Sequence, residues 1–265
     1  AVAPSDPNVV WVGTGEAYCA RSSNSGDGVW KSADAGQTWT NMGLADSHHI
    51  ARVVIHPKDP DVVYAAVMGH LFSANAERGV FKTADGGKTW KKILFVSDKI
   101  GAVDLALVES APDTLYAAMY DKVRLPWHYE LGGPESAVYK TTDGGRTWTR
   151  LGGGLPTGRI GRIGLDVFQK TPDILYAVVE NGNRRPPTAQ EAEQDKRRGG
   201  APAQRTAGNE VFRTDDGGRS WRKVNAGYEA ALNKAPYSFN QLRIDPADPE
   251  TVYITGQSLA STNDG

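Results

Sequence analysis

Four carboxylic acids are candidates for chemistry: Glu16, Asp98, Asp104 and Glu130. Two carboxyl groups can cleave a glycosidic bond, one as acid and the other as nucleophile or base. The required separation is about 5–5.5 Å for retention and about 6.5–9.5 Å for inversion. Spacing along the chain does not pair these four. His48 and His49 are consecutive, and a histidine pair can hold a metal or shuttle protons. No carboxylate spacing beside them supports a metal site, so they read as a solvated loop, and neither metal nor cofactor is expected. His70, in Gly69-His70-Leu71, reads the same way. Trp127-His128-Tyr129-Glu130 is the richest cluster, with two aromatics, an imidazole and a carboxylate. Exposed aromatic rings stack on sugars or anchor a partner; packing over their own sheet is the equal alternative. Glu16 and Tyr18 open another such loop. Cys19 is the single cysteine, which excludes an internal disulfide and a multi-cysteine zinc site. Without a Cys/His motif it reads as an inert buried thiol.

The elements that must position these residues follow from internal repetition. Ser/Thr-x-Asp-x-Gly-x-Thr/Ser-Trp occurs at Ser32–Trp39, Thr83–Trp90, Thr141–Trp148 and Thr214–Trp221, and a fifth copy begins at Thr262 and Asp264. Its structural residues are Asp34 and Trp39, Asp85 and Trp90, Asp143 and Trp148, and Asp216 and Trp221. A second pattern alternates with it: Pro57–Tyr64 and Pro246–Tyr253, with weaker copies at Pro4–Val10, Ala111–Tyr116 and Thr171–Tyr176. In the first pattern Asp caps turn amides and Gly takes positive φ, which makes a hairpin turn with Trp leaving it as a buried anchor. In the second, Asp-Pro forces a turn between strands. Each unit then holds four antiparallel strands in roughly 40–50 residues, the signature of a propeller blade. The expected fold is all-β, a propeller with blades near 1–41, 50–94, 101–151, 160–224 and 238–265, the last incomplete. Four to five blades are present, and the chain reads as a fragment of a larger ring.

Bulk properties agree with a globular all-β chain. Its 265 residues carry 30 Gly, 15 Pro and 7 Trp, as short strands with many turns require. A net charge of −1 gives no field that would draw nucleic acid or an anionic membrane. No stretch approaches the ~20 apolar residues of a membrane span, and no signal peptide opens the chain at Ala1–Val10.

The turns resemble the Asp-box, or bacterial neuraminidase repeat, of sialidases, sortilin-type receptors and two-propeller xyloglucan-cleaving glycosidases. The whole chain also resembles large secreted bacterial proteins named glycosyl hydrolases or sortilin-like by these repeats. The segments that carry this likeness are Trp11–Glu16, His49–Pro57, Val67–Leu71 and Gly101–Leu105. The resemblance implies an extracytoplasmic location, and it puts the boxes at the blade periphery, away from substrate. A sialidase is disfavoured, because the Phe-Arg-Ile-Pro motif is absent.

Insertions between second and third strands, at Thr14–Gly28, Met68–Arg78, Asp121–Ser136 and Asn181–Gly208, mark one variable face as the expected binding face. The last of them, at 181–208, is polar and Pro/Gly-rich and reads as a flexible insertion. Aligned repeats put Arg52, Asp104, Arg162 and Gln241 at one position of the first strand, where they are expected to line a central channel. They form either a charge-paired ring or the floor of a site. Three functions stay open: a binding or scaffold module for a protein, peptide or glycan; a glycosidase-type hydrolase, with or without a second propeller; or a structural half of a two-propeller clamp. The residues favour the first.

Overall fold

The computed structural model describes residues 1–20, 22–227, 232, 238–256 and 258–265. Each repeat folds into one antiparallel sheet whose strands pair in chain order. The first sheet holds β1 (Val2–Ala3), β2 (Asp6–Gly13), β3 (Val29–Ser32) and β4 (Thr40–Asn41). The second holds β5 (Ile50–His56), β6 (Asp59–Val67), β7 (Gly79–Thr83) and β8 (Lys91–Leu94). The third is β9 (Ile100–Leu107), β10 (Leu115–Arg124), β12 (Ala137–Thr141) and β13 (Thr149–Arg150), with β11 (Tyr129–Leu131) on an extension of β10. The fourth holds β14 (Ile160–Val167), β15 (Leu175–Arg185), β16 (Arg205–Thr214) and β17 (Arg222–Lys223). The last has β18 (Gln241–Ile244), β19 (Val252–Thr255) and β20 (Leu259–Thr262). First strands β5, β9, β14 and β18 lie side by side in succession. This is a β-propeller of four-stranded blades.

Second strands show why the sheets stack. Val63-Tyr64-Ala65-Ala66, Leu115-Tyr116-Ala117-Ala118 and Leu175-Tyr176-Ala177-Val178 are buried on both faces. β-branched and aromatic residues favour the strand, and the alanines let neighbouring sheets approach. Each tyrosine lies under a cation from its own third strand: Lys82 at 5.1 Å, Lys140 at 5.2 Å and Arg213 at 5.5 Å from the ring centres. Two of these cations also reach the acidic turn of the following sheet. Lys82 donates to the Gly144 carbonyl at 3.1 Å and Lys140 to the Gly217 carbonyl at 2.8 Å. The turns therefore clamp blade to blade.

The turns themselves repeat atom for atom. In the second sheet the Thr83 hydroxyl donates to Asp85 Oδ1, and the Gly87 amide donates to Thr83 Oγ1. Asp85 also accepts from the Thr89 amide and hydroxyl at 3.0 and 2.6 Å. Asp34, Asp143 and Asp216 make the same bonds. The anchoring role expected of every tryptophan needs correction. Trp221 is buried, but Trp39 is 40% exposed. The turn sets where the ring starts, and the neighbouring sheet decides whether it is covered.

The 181–208 insertion carries regular structure. β15 and β16 extend past the sheet and pair as far as Arg185↔Arg205. Helix α1 (Ala189–Arg197) closes them, with a capping box between Thr188 and Glu191. Arg185 pairs with Glu191 at 2.7 Å and Arg205 with Asp195 at 2.6 Å.

Candidate functional site

Loops between second and third strands gather on one face, and the first of them crosses it. The Arg162 guanidinium of β14 donates to the Ala17 carbonyl at 2.7 Å, a contact between the first and fourth sheets. Cys19, 2% exposed, sits with Met68, Val103, Tyr120, Ile160 and Ile163 from the other sheets. Residues 14–20 therefore cover the inner strands on this side. Cys19 is a buried thiol, as its lack of a reactive motif suggested. Burial raises its pKa despite the charges of Lys122 and Arg162.

Beneath this loop lies a cluster that the sequence did not reveal: Tyr120, Lys122, Arg162 and Glu180. The Glu180 carboxylate accepts from the Arg162 amide at 3.1 Å. Gly161 makes this approach possible, since a Cβ there would stand 2.2 Å from Glu180 Oε2. Burial pushes the Glu180 carboxyl up to about 7, against the opposing charges of Arg162 and Arg159. Burial likewise lowers Lys122 to about 8. A carboxyl that keeps its proton near neutrality is what general acid catalysis asks for.

The first-strand positions serve the frame. Arg52 Nε donates to Asp104 Oδ1 at 2.8 Å. The other Asp104 oxygen accepts the Leu165 amide of the next sheet at 3.0 Å, and Oδ1 also takes the Leu105 amide. Asp166 repeats the device with the Val167 and Ile244 amides. Asp104 and Arg162 are buried, and Gln241 is half-buried. Arg52 alone reaches a cavity of about 330 Å³, lined also by Leu107, Glu109, Asp166 and Gln169. Both Asp104 oxygens are thus engaged in holding strands of the frame together. Glu16 is tied to the Asn24 amide at 3.0 Å. Asp98 lies near Arg78, and Glu130 is exposed on β11.

The histidine reading changes most. His49 is 4% exposed rather than solvated, and burial lowers it to about 4, so it is neutral at physiological pH. His48 does have a carboxylate neighbour. Asp46 and His48 flank Ser47 of a 3₁₀ turn, Ala45–Ser47, and His70 joins them from the second insertion. His70 Nε2 lies 3.0 Å and His48 Nε2 3.8 Å from Asp46 Oδ1. The two rings stack at 3.8 Å. The spacing Asp-x-His was visible in the sequence; the partner 22 residues beyond His48 was not.

The aromatic cluster stands out from the surface. Trp127 is 82% and Tyr129 52% exposed, at the tip of the β10–β11 hairpin, and His128 is also exposed. Arg124 lies 5.0 Å from the Tyr129 ring, and the His128 carbonyl accepts the Leu125 amide in a tight turn. The hairpin is tied to the Glu180 region through the Gly133↔Ile160 bridge.

Comparison with known proteins follows from this geometry. The chain is 25% identical over 208 residues to a xyloglucanase of a Paenibacillus species, covering 68% of this chain and 18% of that protein. It superposes on the GH74 enzyme of Niastella koreensis with a TM-score of 0.68 at 22% identity, covering 99% of this chain and 36% of that one. For the GH74 xyloglucanase of Xanthomonas campestris the TM-score is 0.65 at 18% identity, with 99% and 36% covered. The chain thus spans about a fifth of the length of the Paenibacillus relative and about a third of these solved chains. The family profile described as sortilin, neurotensin receptor 3, matches residues 27–185, more than half of the chain, which makes this protein a member of the Sortilin-Vps10 family.

Proposed function

We propose that this chain is part of a glycan-directed propeller of the xyloglucanase type, acting outside the cytoplasm, and that its insertion face holds the polysaccharide. The observation that carries the proposal is the Trp127–Tyr129 hairpin, whose exposed rings form a stacking platform on the extension of β10. A sugar ring laid on an indole hides apolar area at little entropic cost, because the hairpin is already formed. In this reading Glu180, half-buried and with its carboxyl raised to about 7, is the candidate acid. The second carboxylate that hydrolysis needs comes from the remainder of the protein. This reading puts the enzyme alternative ahead of a pure binding module, in line with the relationship to the Paenibacillus xyloglucanase.

The test uses the full-length protein with xyloglucan oligosaccharides. Calorimetry should show binding, and Trp127→Ala should weaken it about tenfold or more, while reducing-end assays show turnover. Absence of both binding and turnover on xyloglucan and related β-glucans would remove the reading. A second reading, peptide recognition on the same face, is favoured by the family match. It predicts binding of an extended peptide that Trp127→Ala also weakens, with no sugar competition.

A further inference from the structure

We propose that Asp46, His48 and His70 form a binding site for a divalent transition ion of the Zn²⁺ class. Their donor atoms all lie within 4.8 Å of one another. Two imidazoles and a carboxylate are the ligand set that zinc and its first-row neighbours prefer over calcium or magnesium, which take oxygen. Zinc bonds of about 2.0–2.2 Å require the two stacked imidazoles to turn out of parallel and the three groups to close onto one centre. Both Nε2 atoms already face the same carboxylate oxygen, His70 at 3.0 Å and His48 at 3.8 Å. With three protein ligands, one position is left for water or an anionic group.

The surroundings are built as metal sites are built. His70 Nδ1 meets Ser73 Oγ at 3.0 Å, which fixes the ring and leaves Nε2 for the ion. The His70 amide donates to Asn75 Oδ1, and Asn75 Nδ2 donates to the Asp46 carbonyl, so one side chain locks the two ligand-bearing loops together. Behind them buried Arg78 donates to four carbonyls, those of Met68, Lys99, His70 and Ser73. Gly69 admits this packing, since a Cβ there would stand 2.3 Å from Asn75 Oδ1. On the other loop, Leu44 at φ 57 and His48 at φ 54 hold the turn in a conformation that side-chain-bearing residues seldom take. The groups remain accessible, with side-chain exposures of 62%, 37% and 22% for Asp46, His48 and His70.

The experiment is a titration of the full-length protein, stripped with chelator, using Co²⁺ as a coloured reporter and Zn²⁺ as competitor. The wild type should bind one equivalent of ion more than the His48→Ala/His70→Ala double variant. That extra equivalent should show the visible absorption of a nitrogen- and oxygen-ligated Co²⁺, and Zn²⁺ should displace it. Each single variant should weaken this equivalent at least tenfold, and His128→Ala should leave it unchanged. Saturating Zn²⁺ should raise the melting temperature of the wild type and not that of the double variant. Because His48 and His70 are half-exposed, the double variant should keep its circular dichroism. His70→Gln provides a second variant of similar size. Equal stoichiometry in wild type and double variant, or no ion bound at millimolar concentration, overturns the proposal. None of these readouts depends on glycan binding or turnover.

Discussion

Near neutral pH the Glu180 carboxyl is about half protonated, because burial takes away much of the water that would solvate its charge. The folded value of about 7 lies above the unfolded 4.5, so the folded protein holds this proton more tightly. Stability from this group is therefore present below pH 4.5 and lost as pH rises to about 7. Glu180→Gln removes the titration and keeps an acceptor for the Arg162 amide. Urea midpoints at pH 5 and pH 8 should show the variant gaining on the wild type by on the order of 2 kcal/mol at the higher pH, allowing for partial solvent screening. An unchanged difference would mean that Glu180 is solvated. Nothing near Glu180 in the sequence announces this. It ends an apolar run, and the residues that bury it, Cys19, Tyr120 and Arg162, are far away along the chain. Asp104 was legible as a polar residue on a first strand, but its role was not, because its partner amide belongs to the next sheet.

The acidic turns behave oppositely, since the hydrogen bonds of their aspartate carboxylates span two to four residues. Their chemistry can be read directly from Ser/Thr-x-Asp-x-Gly-x-Thr/Ser. The Thr89 hydroxyl and amide hold the Asp85 carboxyl at about 2, below its usual 3.8. This contribution is full above pH 3.8 and disappears as pH falls to about 2. Asp85→Ala should therefore lower the melting temperature at pH 6, and the gap from wild type should narrow through that acid range. A gap that is constant with pH would assign the loss to packing instead. Helix α1 was legible too, and was missed: Thr188-x-x-Glu191 is a capping-box signature. The charge and proline content of 181–208 pointed to a flexible insertion, whereas Arg185–Glu191 and Arg205–Asp195 use those same charges to close a hairpin.

For the whole molecule, repetition made the architecture legible, because a blade buries its faces only against another blade. The covering loop was not legible, because 14–28 belongs to no repeat. Its seating has a direct reporter in Cys19, buried and with a raised pKa. A thiol reagent at pH 8 should leave Cys19 unmodified in the folded protein and label it at the rate of global unfolding as urea is added. Fast labelling without denaturant would show that the loop opens independently of the sheets. Ala17 and Arg162 are 145 residues apart in the chain. Translation at roughly 5–20 residues per second therefore separates their emergence from the ribosome by roughly 7–30 s. During that interval the early segment has no fourth sheet to lie on and its thiol is in contact with water. Newly made chains thus pass through a stage when Cys19 can be captured by a partner or oxidised, and docking of the late strands ends it.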